Sequence, residues 1–326
     1  MKTIAFFNNK GGVGKTTLVY HLAWMYSEIG FSVLAADLDP QANLSTYLLV
    51  EERLEELWPD EEHHDSVLGA VSPILKGLGD IRDPHVERIA DNFGLLVGDL
   101  GLSRFEKRLS AAWPDCLDGD ESAFRAESAF HRLTLRAAES LDADLVLVDV
   151  GPNLGSMNRA AIIAADHVVL PLAPDLFSIQ ALRNVGSMLH EWREGWRARL
   201  KKAPDTDELP LPRGEMKPLG YILMQHAVYA NRPVKAYQKW ADRIPDAYRE
   251  EVMDHDGDTG CLATLKHYRS LMAMAHEARK PMFHLRAADG ALGGHLYAVQ
   301  DCYRDFEDLA RTIADRCGVT AARPSK

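Results

Sequence analysis

Eight consecutive residues, Lys10-Gly11-Gly12-Val13-Gly14-Lys15-Thr16-Thr17, combine three glycines with two lysines and two hydroxyls. Glycines let backbone N–H groups converge on phosphate oxygens, and a following helix N-terminus adds a favourable field for an anion. In that setting Lys15 reaches the β- and γ-phosphates and the Thr16 hydroxyl ligates Mg²⁺. The strict phosphate-loop pattern needs glycine at position 9, where Asn9 stands, and a second lysine, Lys10, opens the loop instead. Lys10 lies on the other side of the loop from Lys15 and does not easily duplicate it. Three carboxylates complete the set. Asp37 and Asp39, two residues apart, point the same way if extended geometry persists. Asp149 ends the apolar run Leu145–Val148, so its carboxylate faces the nucleotide edge of a sheet and binds Mg²⁺ through water.

These residues need a strand before the loop, a helix after it and further strands ending in carboxylates. Thr3–Phe7 reads as a short buried strand. From Thr16 to Ile29 the apolar positions Val19, Leu22, Ala23, Tyr26 and Ile29 recur at helical spacing, and Gly30 stops the helix. Ser32–Ala36 is a second strand, making a βαβ unit whose strands lie parallel. Apolar runs at Gly94–Val97, Leu145–Val148, His167–Leu172, Leu219–Met224 and Met282–Leu285 predict more strands, and Ser178–Lys202, Pro233–Arg249 and Tyr297–Cys317 predict helices. Residues 51–92 read as an acidic, variable surface segment, with His63-His64 carrying no metal site because adjacent residues do not share a helix face. Residues 203–218, rich in proline and charge, read as a surface loop. The expectation is one α/β domain over residues 1–326, a doubly wound, mostly parallel sheet with helices on both faces, of the P-loop NTPase type.

Composition narrows the function. With 37 Lys+Arg against 48 Asp+Glu the net charge is −11, which opposes whole-surface attraction to nucleic acid or anionic lipid but permits a local basic patch. The four cysteines form no Cys-x-x-Cys pair, so neither a disulfide framework nor a zinc site is expected. No run reaches the roughly 18 apolar residues of a membrane span, and the first residues lack a signal-peptide pattern. The expected location is cytoplasmic.

With Lys10 before the glycine pair, the loop has the deviant Walker form and closely resembles the ParA/MinD family of dimerising ATPases. Val33–Asn43, carrying Asp37-Leu38-Asp39-Pro40, looks like that family's second acidic motif, and Leu145–Asp149 like its Walker B strand, followed by Gly151-Pro152-Asn153. Ala164–Pro171 and Ser178–Leu182 also match in character and order. Nearly the whole chain can be laid against a ParA without a helix-turn-helix extension. The resemblance implies ATP and Mg²⁺ as ligands, with Lys10, Gly11, Gly12, Val13, Gly14, Lys15, Thr16 and Thr17 around the phosphates. It further implies Thr16, Asp37 and Asp149 near the metal, and Asp39 on the attacking water. Lys10 would cross a dimer interface to the partner's nucleotide, so that hydrolysis depends on dimerisation. Lys10, Lys15 and Asp39 are then the catalytic set. Gly151, where the family often has proline, suggests a more mobile switch segment.

The same resemblance implies an ATP-bound homodimer, slow and partner-stimulated turnover, a ParB-like or other activating protein, and non-specific DNA binding. The basic candidates are Arg193, Arg197, Arg199, Lys201 and Lys202; Arg232, Lys235, Lys239 and Arg243; and Lys266 with Arg269. Met224, Gln225 and the loop 266–269 are placed to approach the base. Tyr303–Cys317 mixes Phe306 and Leu309 with Asp305, Glu307 and Asp308, so it reads as a helix packed on the sheet, with no membrane role. The alternatives are a P-loop biosynthetic ligase or synthetase, and a switch acting on a protein partner without DNA. Iron–sulfur carriers of this superfamily need paired cysteines that are absent here.

Overall fold

The computed structural model describes residues 1–59, 62–206, 208–224, 234–253, 260–268 and 270–321, without the side chains of 234–237. The first half of the chain runs β1 (Lys2–Phe6), α1 (Lys15–Glu28), β2 (Val33–Asp37), α2 (Asn43–Leu48), α3 (Glu51–Leu57), α4 (Val67–Lys76), β3 (Glu87–Ala90) and β4 (Phe93–Leu96). Next come α5 (Phe105–Asp115), α6 (Glu121–Glu127), α7 (Ala129–Leu141), β5 (Leu145–Asp149), α8 (Ser156–Ile163), β6 (His167–Leu172) and α9 (Leu176–Leu200). It ends with β7 (Lys217–Met224), α10 (Val234–Ala241), α11 (Ile244–Glu251), β8 (Cys261–Leu265), α12 (Ser270–Ala278) and α13 (Gly294–Cys317).

The eight strands form one sheet in the order β3-β4-β2-β5-β1-β6-β7-β8, parallel throughout except for the β3–β4 pair. Ile4–Phe6 and Leu145–Leu147 are wholly buried, as near-continuous apolar strands must be when helices cover both faces. One core packs α4, α5, α7, α8 and α9 on one face, and a second packs α1, α12 and α13 on the other. From β1 the chain winds outward through β2 and returns to β5. It then crosses to β6, β7 and β8 on the other side of β1. That reversal puts the loop after β1 over the crevice at the carboxyl ends of the strands.

β1 and β2 are parallel, as expected, and β5 inserts between them, with Phe6 and Asp37 both in register with Asp149. Three expectations are corrected. Met282–His284 forms a 3₁₀ turn rather than a strand. Its Met282 N–H donates to His21 Nε2 at 3.1 Å, so it is committed to α1 and not to a ladder. The helix expected over Pro233–Arg249 is two, α10 and α11, broken at Asp242-Arg243, where Pro245 opens the second. Residues 51–92 are more than surface, since α4 buries Val67, Ala70, Val71 and Ile74. Strands β3 and β8 lie at the sheet edges and escaped the sequence pattern because they are short and partly exposed.

His21 shows how tightly α1 is held to the C-terminal half. Its Nδ1–H donates to the Thr17 carbonyl at 2.7 Å while Nε2 accepts from Met282, and the ring stacks on Phe306. Complete burial pushes the imidazole from 6.5 down to about 4. The unfolded chain therefore binds a proton at higher pH than the native one, and stability falls as pH drops from about 6.5 toward about 4. An NMR titration is expected to find this ring neutral down to that lower value; a midpoint near the ordinary one would contradict the packing.

Candidate active site

The loop is anchored before it begins. The Asn8 side-chain amide donates to Pro171 O at 2.6 Å on the neighbouring β6, and its Oδ1 accepts the Lys10 N–H at 2.9 Å. Gly12 (φ 73°) and Gly14 (φ 86°) then take left-handed angles that side chains resist. A Cβ on Gly11 or Gly12 would meet nothing within 4 Å, so the space before the loop is open. Gly14 offers α1 no side-chain cap, which leaves the first-turn N–H groups to an anion.

Lys15 is buried, with Nζ 3.4 Å from Asn8 O. Burial lowers its pKa, offset in part by the charges of Asp149 and then Asp39. Facing it is an unusual concentration of buried acid. Asp37 and Asp149 are fully inaccessible and paired across adjacent strands, and Asp39 is 7% exposed. Asp37 Oδ2 accepts from the Ser45 N–H (2.8 Å) and hydroxyl (2.7 Å), and Ser45 Oγ accepts in turn from Gly98 N–H. Among the described residues Asp37 Oδ1 and both oxygens of Asp149 have no partner. Burial, with Asp39 adding to it, pushes the Asp37 carboxyl up to about 7; burial and the nearby Asp37 push Asp149 well above the carboxylate range. The Thr16 hydroxyl offsets part of that rise while standing outside hydrogen-bond geometry.

Orphaned hard oxygens beside a hydroxyl at a phosphate loop suit Mg²⁺. Among the described residues no three His, Cys, Asp or Glu side chains form a metal cage.

Asp39 Oδ1 accepts from Gln41 N–H at 2.9 Å, and a Cβ on Gly151 would come within 3.3 Å of that oxygen. Gly151 thus has a steric reason to be glycine, since its φ is not positive. The segment after it, expected to be mobile, is tethered: the Asn158 amide donates to Gly151 O and Asn153 O, both at 2.7 Å. Glu106 caps α8 by accepting from the Ser156 and Met157 N–H groups.

Lys10 is directed away from Lys15. Its ammonium pairs with Asp175, the N-cap of α9, and lies 5.6 Å from the centre of the exposed Phe177 ring. On the base side, Met224, Lys266 and Tyr268 join Gly14 and Thr17 around a pocket of about 40 Å³; Gln225 and Arg269 lie outside the described residues. Two of the basic candidates are not surface groups. Arg193 is buried, donating to Glu215 O and Met216 O, and Arg199 is buried on the Trp113 ring with its Nε–H on Trp113 O. Arg197, Lys201, Lys202 and Lys239 are exposed. Lys266 pairs with Asp301, Arg243 lies over Trp240, and Arg232 and the Lys235 side chain fall outside the described residues.

Residues 1–202 match the family model described as an AAA domain. The chain belongs to that family, as a ParA-type ATPase. Soj, a chromosome-partitioning ATPase of Thermus thermophilus, is 29% identical over 62% of this chain and 66% of its own length. A probable plasmid-partitioning protein ParA from the same organism is 29% identical over 59% of this chain and 51% of its own. The chain thus spans half to just under two thirds of these two relatives. Among solved structures, protein DIP2308 from Corynebacterium diphtheriae superposes with a TM-score of 0.71 at 25% identity, over 97% of this chain and 99% of that one. In this ParA-type ATPase no helix among the described residues is long and apolar enough to cross a membrane.

Sequence reasoning missed Asn8, Ser45, Glu106, Asn158 and Asp175, which hold the site rather than form it. Asp175 three residues before Ser178 signals a helix start, but nothing in the sequence signals its contact with Lys10. Ser45 gives the clearest test of this supporting layer. Ser45→Ala removes a donor to a buried carboxylate and orphans the Gly98 N–H, and is expected to lower stability by about 1–3 kcal/mol in urea unfolding. An unchanged midpoint would show that Asp37 does not depend on it.

Proposed function

We propose that the chain binds ATP with Mg²⁺, closes as a homodimer around two nucleotides, and is released by hydrolysis, so as to segregate or position DNA or another cargo. The observation that carries this reading is the division between the two lysines. Lys15 lies inside with the carboxylates, whereas Lys10 lies outside, paired with Asp175 and over the exposed Phe177 ring, with the exposed Leu176 between those two in the chain. A cation beside an exposed apolar patch suits a second copy of the chain better than solvent.

In this reading the loop N–H groups and Lys15 bind the phosphates. Thr16, Asp37 and Asp149 hold Mg²⁺, which when bound neutralises phosphate charge. Asp39, fixed by the Gln41 N–H, orients the attacking water. Lys10 leaves Asp175 and stabilises developing charge on the partner's nucleotide. Dimerisation and turnover are thereby coupled. Slow basal turnover and stimulation by a ParB-like or other partner protein belong to the same proposal, as do a cytoplasmic location and association with the nucleoid.

Lys10→Ala is expected to retain nucleotide binding but lose ATP-induced dimerisation, with turnover reduced about 10²-fold or more. Light scattering and phosphate release check this; wild-type turnover would sink the claim. For DNA, the exposed end of α9 with Arg197, Lys201 and Lys202 is the first surface to test. Binding to non-specific duplex is expected with ATP but not ADP, weakening steeply with salt and with alanine at those three positions. Absence of binding in both nucleotide states would move the output to a protein partner.

A further inference from the structure

Beside the nucleotide crevice, α1, α2 and α12 enclose a second, half-open pocket of about 270 Å³. It shares Thr17, Met272 and Met282 with the base-side pocket but is lined by none of residues 10–16. Its walls are rings and thioethers. Tyr20 and Tyr47 meet edge to face with centroids 6.0 Å apart, His276 stands at 90° to Tyr47, and Met272 and Met282 close the side. His21 contributes no free polar atom there, because both its nitrogens are engaged by Thr17 and Met282.

The charge of this pocket is distinctive. Lys280 is neutralised by Asp289 at 2.8 Å, whereas Arg279 is exposed and makes no ion pair or side-chain hydrogen bond among the described residues. Arg279 also occupies the position just past α12, at φ 49°, where its N–H donates to His276 O and the Lys280 N–H reaches back to Ala275 O. Glycine or asparagine usually takes that left-handed position, since a long side chain is strained there. An arginine in that place is better explained by its guanidinium than by its backbone.

From this juxtaposition we infer that the pocket is a binding site for a small aromatic anion, with the ring between Tyr20, Tyr47 and the methionines and the acid group on Arg279. A space of this size takes one fused ring system, aromatic walls favour a flat face, and a planar guanidinium favours a carboxylate or similar acid. The pocket borders the phosphate loop at Thr17 but takes in none of residues 10–16, and the inference does not rest on the reading of that loop.

Calorimetric titration of the full chain with indole-3-acetate tests this, first without nucleotide and then with saturating ADP and Mg²⁺. One binding site is expected in both conditions. Tryptamine, with the same ring and opposite charge, and acetate, with the charge and no ring, are expected to bind at least about tenfold more weakly. Arg279→Gly is expected to weaken indole-3-acetate by about tenfold or more while melting no lower than the parent, because glycine is at ease at this φ. Tyr47→Ala, at an exposed ring, is expected to weaken binding without altering the preference for an anion. No binding, displacement by ADP, equal binding of tryptamine, or full affinity in Arg279→Gly would each overturn the inference. Should ADP itself fail to bind, the nucleotide-free titration still decides it.

Discussion

Two carboxylates buried side by side, with three oxygens that find no partner among the described residues, are the constraint on which the architecture turns. An unpaired charge in a low-dielectric interior costs several kcal/mol, and two that repel each other cost more. The fold creates this arrangement deliberately, by inserting β5 between β1 and β2 so that Asp37 and Asp149 finish in register beneath the phosphate loop. Lys15 is the one cation that the loop supplies to the interior. The native chain therefore carries this buried acid at the expense of its own stability, a trade usual at functional centres.

Everything around that point serves to keep it rigid. Asn8 ties the loop to β6, Ser45 fixes one edge of Asp37, Gln41 fixes Asp39, and Asn158 with Glu106 restrains the segment after Asp149. None of these groups is itself suited to the chemistry, yet each removes a rotation that would blunt it. The outward face differs. The Lys10 ammonium is paired with Asp175 at a partly exposed position, a contact worth little in water and readily exchanged for a better anion.

The central part of the site was legible because its signals are local. Glycines and lysines in an eight-residue run, and aspartates closing apolar runs, report a strand–loop–helix junction whatever lies far away. The strand order was not legible in the same way. The insertion of β5 depends on pairing between residues more than a hundred positions apart, as Asp37 with Asp149 illustrates. The edge strands β3 and β8 lack the continuous burial that marks a central strand. Basic residues were the hardest to read, since charge alone does not distinguish Lys201 in solvent from Arg199 stacked on Trp113. Long side chains bury their stems and hydrogen-bond inward wherever an aromatic ring and free carbonyls permit.

The central claim is that the buried acid at the sheet edge is built for a divalent cation with a nucleotide. Thermal unfolding of the wild type and of Asp149→Asn at pH 8, each with and without ADP and Mg²⁺, tests it most directly. The account predicts that Asp149→Asn melts higher than wild type when no ligand is present, because the buried carboxyl ionises less readily than it does in the unfolded chain, a cost at pH 8 that asparagine does not carry. It further predicts that Mg²⁺ with ADP raises the wild-type midpoint by several degrees and that the variant loses most of that gain. A variant that melts no higher alone, and gains as much from Mg²⁺ and ADP as wild type does, would contradict it.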